Sequence, residues 1–143
     1  MWKLYGASDH AVAIRSTTRR LISSLHADNP PVYIGNVSYI DYDRTPIPER
    51  NQYFALLHKR QSFEHERELR AIVSQDTRFR SPTDGPMPAG VEINVDVREL
   101  VDTILVAPDA PADFLPTVGR AVADAGYPRL GVKQSRLGEE PLF

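Results

Sequence analysis

The chain has 143 residues, 17 Lys and Arg against 19 Asp and Glu, a formal net charge of −2 and no cysteine. That length fits one domain with one core, and a content of 41% hydrophobic and 25% charged residues disfavours wholesale disorder. The lack of Cys excludes a disulfide scaffold, a thiolate zinc site and a cysteine nucleophile. No apolar run approaches the ~18 residues that span a bilayer, and no signal-peptide pattern opens the sequence, so a cytoplasmic protein is expected.

Taken in chain order, Ala11-Val12-Ala13-Ile14 is a short apolar run that reads as a strand. Ser16 or Thr17 then caps a helix carrying Leu21, Ile22 and Leu25. Val32 to Ile34 and Val37 to Ile40 are rich in β-branched and aromatic residues, with Gly35-Asn36 between them as a turn or bulge. Asn51 to Lys59 reads as helix, with Tyr53, Phe54, Leu56 and Leu57 on its apolar side. Leu69 to Val73 reads as a strand, and Val91, Ile93 and Val95 alternate with polar residues as a half-buried strand does.

The last third reads as strand, helix, strand. Asp102 to Ala107 is the first strand, Asp113 caps a helix from Phe114 to Ala125 that Gly126 ends, and Leu130 to Gln134 is the last strand. Pro116 falls in the helix's first turn, where a missing amide costs little. Nine of the 12 prolines cluster at breaks around Pro30-Pro31, Pro46 and Pro48, Pro82 to Pro88, and Pro108 and Pro111. The expected fold class is α+β: one domain over residues 1–143, with a mixed, partly antiparallel sheet and helices packed on it.

Charge is uneven along the chain. Residues 1–80 carry net +3 and residues 81–143 net −5, with the basic excess between Arg44 and Arg80. The sequence pI of about 6.1 argues against nucleic acid, whose binders usually carry a basic stripe and a high pI. A solvated face with salt bridges is the plainer account of the basic stretch.

Two stretches carry more information: Trp2 and Tyr5 ahead of the first strand, and Lys59, Phe63, Glu66, Glu68 and Arg70 ahead of Leu69 to Val73. With Val37, Tyr39, Val106 to Pro108 and Ser135, their order resembles the bacterial and phage family catalogued as "domain of unknown function 2971". That family shows M-W-x-x-Y, then V-x-Y, then K, W or F, and E-x-E-x-R before an apolar strand. The resemblance covers nearly the whole chain. Members usually have tens of residues before the M-W element, whereas this sequence opens on it, so the expectation is either a naturally short member or the C-terminal part of a longer family domain. Phe63 stands where Trp is commoner.

The resemblance and the residues point to two function classes, of which the first is the expectation and the second the alternative. In the first, the chain is a nucleotide-handling enzyme, similar to ADP-ribosyltransferases in its extended E-x-E, with NAD as substrate and a toxin or anti-phage role implied by family analogy. Glu66 and Glu68 would then be catalytic, because stacked like charges raise one carboxylate pKa and free an acid or base. Arg70 and Lys59 would hold phosphate or carboxylate, and Trp2 and Tyr5 would face a base or sugar. In the second class, the chain is a non-catalytic binding module, E-x-E-x-R is a structural ion-pair network, and a partner chain or second copy covers a sheet edge.

Other chemistries find less footing. His58 and His65 would share a face of one helix with Glu66 nearby, yet their spacing is not H-x-x-x-H, and no metal is expected. Asp41 and Asp43 lack the downstream E-x-K of a nuclease, since Leu69-Arg70 follows Glu68. Ser16, Ser38 and Ser135 lack a G-x-S-x-G setting, and there is no G-x-G-x-x-G or P-loop. Ile14-Arg15-Ser16-Thr17 bears only a faint likeness to the S-T-S strand of ADP-ribosyltransferases.

Overall fold

The computed structural model describes Trp2 and residues 9–47, 51–73 and 90–137. The fold class is α+β, and the chain divides into two compact units, Met1–Ala27 with Asn94–Phe143, and Asp28–Ile93.

The first unit is built on a three-stranded sheet of β1 (Val12–Arg15), β6 (Thr103–Val106) and β7 (Gly131–Gln134), in the order β1-β6-β7. The sheet is mixed: β1 runs antiparallel to β6, and β7 parallel to it. A parallel pair needs a crossover, and α4 (Phe114–Asp124) supplies it. Asp113 occupies the position before α4, but its side chain makes no capping bond; instead its carbonyl accepts from Thr117 N and Oγ1. The helix ends at Ala125, and Gly126, at φ +91, takes the left-handed conformation that costs a glycine least.

Thr17 caps α1 (Thr18–Ser24), its hydroxyl accepting from Arg20 N. A four-residue helix, α3 (Val97–Leu100), packs against α1 and is capped by Asp96. Core residues lie on and beside β6: Val106 is fully buried, and Val101, Thr103 and Ala107 are buried near it. Ser135 is buried too, donating its backbone N–H to the Val106 carbonyl and accepting from the Trp2 indole at 3.0 Å.

The alternation at Val91, Ile93 and Val95 does not produce a strand. Val95 forms one isolated antiparallel bridge with Leu25, flanked by bonds from His26 N to the Asn94 carbonyl and Asp96 N to the Ser24 carbonyl. A period of two specifies an extended backbone, but a ladder also needs an extended partner. Here the partner is the residue that ends α1.

Among its described residues the second unit contains two two-stranded pairs. β2 (Val32–Asn36) runs antiparallel to β5 (Leu69–Val73), and β3 (Ser38–Ile40) runs parallel to β4 (His58–Arg60). Gly35 and Asn36 are therefore not a turn: both lie within β2, paired with Arg70 and Leu69. The switch of partner falls at buried Val37, whose N–H donates to the Glu68 carbonyl while Ser38 N donates to the Leu57 carbonyl.

Asn51 caps α2 (Gln52–Leu56), which stops short of the helix expected to Lys59, because residues 58–60 instead pair with β3. Gly35 has its own packing reason. A Cβ there would sit 3.0 Å from Leu57 Cδ1 and 3.2 Å from Cδ2. Gly35→Ala is expected to lower stability by about 1 kcal/mol, as overpacking does, and Gly35→Val by more. Urea denaturation of the three proteins checks the order.

Candidate functional site

In the second unit a single turn brings the E-x-E-x-R charges together. After β4 the chain enters a 3₁₀ helix (Gln61–Glu66), then Arg67 adopts a left-handed conformation at φ 46, and Glu68 leads into β5. Glu66 and Glu68 are thus neither two apart on a strand nor on one helix. The left-handed residue between them reverses the chain, and both carboxylates reach Lys59. A non-glycine residue in that conformation costs roughly 1–2 kcal/mol, so the bonds on either side must hold it.

Lys59 on β4 donates through Nζ to Glu66 Oε2 and to Glu68 Oε1, the latter at 2.6 Å. The same ammonium lies 4.5 Å from the centroid of the Phe63 ring. The other Glu68 oxygen accepts from Arg70 Nε at 2.8 Å and pairs with Nη2 at 2.8 Å. Arg70 also donates through Nη1 to the carbonyl of Leu56, the last residue of α2, where helix carbonyls lack intrahelical partners. Tyr39, beside Lys59 in the β3–β4 register, accepts the Glu68 backbone N–H through its hydroxyl at 2.7 Å. Side-chain exposures of these four charged residues run from 17% to 32%, so the cluster is half-buried.

The electrostatics follow from this geometry. The Arg70 guanidinium above all, and then Lys59, hold the Glu68 carboxyl down to about 2, against 4.5 for an ordinary glutamate. Lys59 is raised by Glu66 and then Glu68, and Arg70 is raised by Glu68. The expectation that adjacent carboxylates would lift one acid is therefore reversed at Glu68, because two cations stand between and beside the acids.

The folded chain binds the Glu68 proton less readily than the unfolded chain. Its stabilising contribution is complete above pH 4.5 and is lost as pH falls towards about 2. Thermal melts of wild type and Glu68→Gln between pH 7 and pH 2 are expected to show a gap in Tm that closes through that window. A gap independent of pH would contradict the assignment.

No family model, no curated protein and no solved structure matches this chain.

Of the expected site residues, Lys59, Glu66, Glu68 and Arg70 are brought into one network. Trp2 belongs to the first unit, where its indole bonds Ser135, and Tyr5 lies outside the described residues, as do Arg78 and Arg80. Arg15, Ser16 and Thr17 also belong to the first unit and are used locally: Arg15 pairs with Asp102, Ser16 Oγ donates to the Leu100 carbonyl, and Thr17 caps α1.

His58 and His65 do not share a helix. His58 is on β4 with Nδ1 bonded to the Phe54 carbonyl, and His65 is in the 3₁₀ helix. Asp41 shapes a turn by accepting from Asp43 N and pairing with Arg44. Among the described residues no group of three His, Asp or Glu is placed to hold a metal ion, and no helix is long and apolar enough to cross a membrane.

The residues that sequence reasoning missed are Arg20, Arg98 and Arg129, which line a cleft of about 500 Å³ in the first unit. They come from three distant positions with no shared motif, so only the fold reveals them.

Proposed function

We propose that this chain is a non-catalytic binding module and that its E-x-E-x-R segment is a structural ion-pair network. The observation that carries this reading is Glu68. Each of its carboxylate oxygens is taken by a cation, and its carboxyl is held near 2, so it is ionised and engaged at neutral pH. A general base needs a pKa close to the working pH, and a nucleotide-binding Arg or Lys needs unspent donors. Here Arg70 also caps α2 and Lys59 joins two carboxylates.

β1 supports the same reading. Among the described residues it is an edge strand, and Val12 and Ile14 on it are 51% and 65% exposed, the surface that a partner chain or second copy would cover. Membership of the family that the sequence resembles belongs to this proposal and is carried by the same Lys59, Phe63, Glu66, Glu68 and Arg70.

The competing reading, an ADP-ribosyltransferase-like enzyme using NAD, gives the test. Purified wild type, Glu66→Gln and Glu68→Gln are incubated with NAD and released nicotinamide is measured. No release is expected from any of them, while both variants melt below wild type. Release by wild type that either substitution removes would overturn the module and place NAD chemistry at these residues.

A further inference from the structure

We infer that the arginine-lined cleft of the first unit is a binding site for a small phosphorylated molecule. This goes beyond the reading above, because it concerns the other unit and none of the E-x-E-x-R residues.

The cleft lies where α1, α3 and the turn before β7 meet the start of β6. Its charged lining is Arg20 from α1, Arg98 from α3, Arg129 from the turn, and one acid, Asp102. That acid is already neutralised. Arg15, which is not part of the lining, places Nε 2.7 Å from Asp102 Oδ2, Arg20 Nη2 is 3.8 Å from Oδ1, and the Thr103 hydroxyl donates to Oδ2. Arg15 first of all keeps the Asp102 carboxyl below its ordinary value. Asp102 is thus paired with Arg15 and, at longer range, with Arg20, which leaves Arg98 and Arg129 as the lining's cations with no acid opposite them among the described residues.

The arginines differ in their freedom. Arg20 is anchored by a bond from Nη1 to the Glu99 carbonyl. Arg98 and Arg129 are exposed, and neither has an ion-pair partner among the described residues. One fixed cation beside two uncommitted ones suits an anion that accepts from several directions at once, as a phosphate does with its three terminal oxygens.

At the end of α4 the carbonyls of Ala121, Val122 and Ala123 are engaged by the backbone N–H of Ala125, Tyr127 and Gly126; the negative end of the helix dipole is what the cleft arginines must outweigh. Volume and wall set the rest of the ligand. A cleft of about 500 Å³ exceeds a bare ion and falls within the range of small-molecule sites. Tyr127 and Leu130 give it an apolar side for a ring or carbon chain.

The test titrates the full chain with pyrophosphate and with adenosine monophosphate, followed by calorimetry and by amide chemical shifts. Saturable one-to-one binding is expected, with the shifts concentrated at Gly126 and Gly131. Arg98→Ala and Arg129→Ala are each expected to weaken binding about tenfold or more, the scale of a hydrogen bond to a charged group. Arg120→Ala, on α4 and outside the lining, is expected to leave affinity unchanged. No saturable binding of either probe, shifts centred elsewhere, or equal losses in Arg120→Ala would overturn the assignment. The shift map needs no substitution, so it decides the matter even if a variant folds poorly.

Discussion

Lys59→Met is expected to lower the Tm of this chain by several degrees, the largest fall from any single exchange of a charged residue in the Lys59–Arg70 stretch. Methionine keeps most of the side-chain length and removes the charge. Two carboxylates that both touch one ammonium stand within roughly two hydrogen-bond lengths of each other. Without the ammonium they face each other half-buried, with Arg70 left to offset only Glu68. The pH dependence identifies the cause. In the variant, repulsion favours uptake of a proton by the pair, so the folded state gains relative to the unfolded state as pH falls. The deficit against wild type is therefore expected to shrink between pH 7 and pH 4.

The second arm is a double variant. Lys59→Met with Glu66→Gln removes one charge of each sign and leaves Glu68 paired with Arg70. It is expected to melt above Lys59→Met alone, a non-additivity that residues sharing one network show. Circular-dichroism melts of the four proteins across pH complete the cycle. A pH-independent deficit, or additive losses, would mean that the cluster is a solvated charge run.

Why this network was only half legible in the sequence comes down to Arg67 and Lys59. The strand at Leu69–Val73 was legible to the residue, because a β-branched and apolar run bounded by charge has few alternatives. The α1 cap, read as Ser16 or Thr17 and found at Thr17, and the strand, helix, strand order of the last third were legible for the same local reasons. Arg67 was not, since nothing but a glycine or asparagine announces a left-handed residue, and this one is held by the bonds that Glu66 and Glu68 make.

Lys59 read as the end of a helix, yet residues 58–60 pair in parallel with β3, and such pairing lies far along the chain and leaves no local trace. The cation placed at that helix end is Arg70, brought there by β5. The cleft arginines were hidden for the same reason, since Arg20 and Arg98 meet through the packing of α3 on α1 and Arg129 joins them from the turn before β7.

Val106→Asp is expected to abolish folding of the first unit. Val106 is fully buried on the central strand, with Val12 beside it on β1 and Gln134 on β7. Its carbonyl also accepts the Ser135 N–H, whose side chain in turn receives the Trp2 indole bond. A carboxylate at this fully buried position is cut off from water and costs several kcal/mol, a large part of the 5–15 kcal/mol by which a domain is ordinarily stable. Val106→Ala keeps the site apolar and is expected to cost about 2 kcal/mol, for lost burial and the small cavity left behind. The control is Ile14→Asp, two residues along β1 from Val12 and 65% exposed, which is expected to shift stability by no more than about 0.5 kcal/mol.

The same series separates fold from ligand site. β6 begins directly after Val101 and Asp102, which line the cleft. Val106→Ala, folded at room temperature, is expected to bind pyrophosphate as wild type does, since Val106 is not part of the lining. Val106→Asp is expected to lose that binding together with the amide dispersion of β6 and β7. If Val106→Asp stays folded and Ile14→Asp does not, the core of this unit lies against β1's outer residues rather than at Val106, and the packing described for the sheet is wrong.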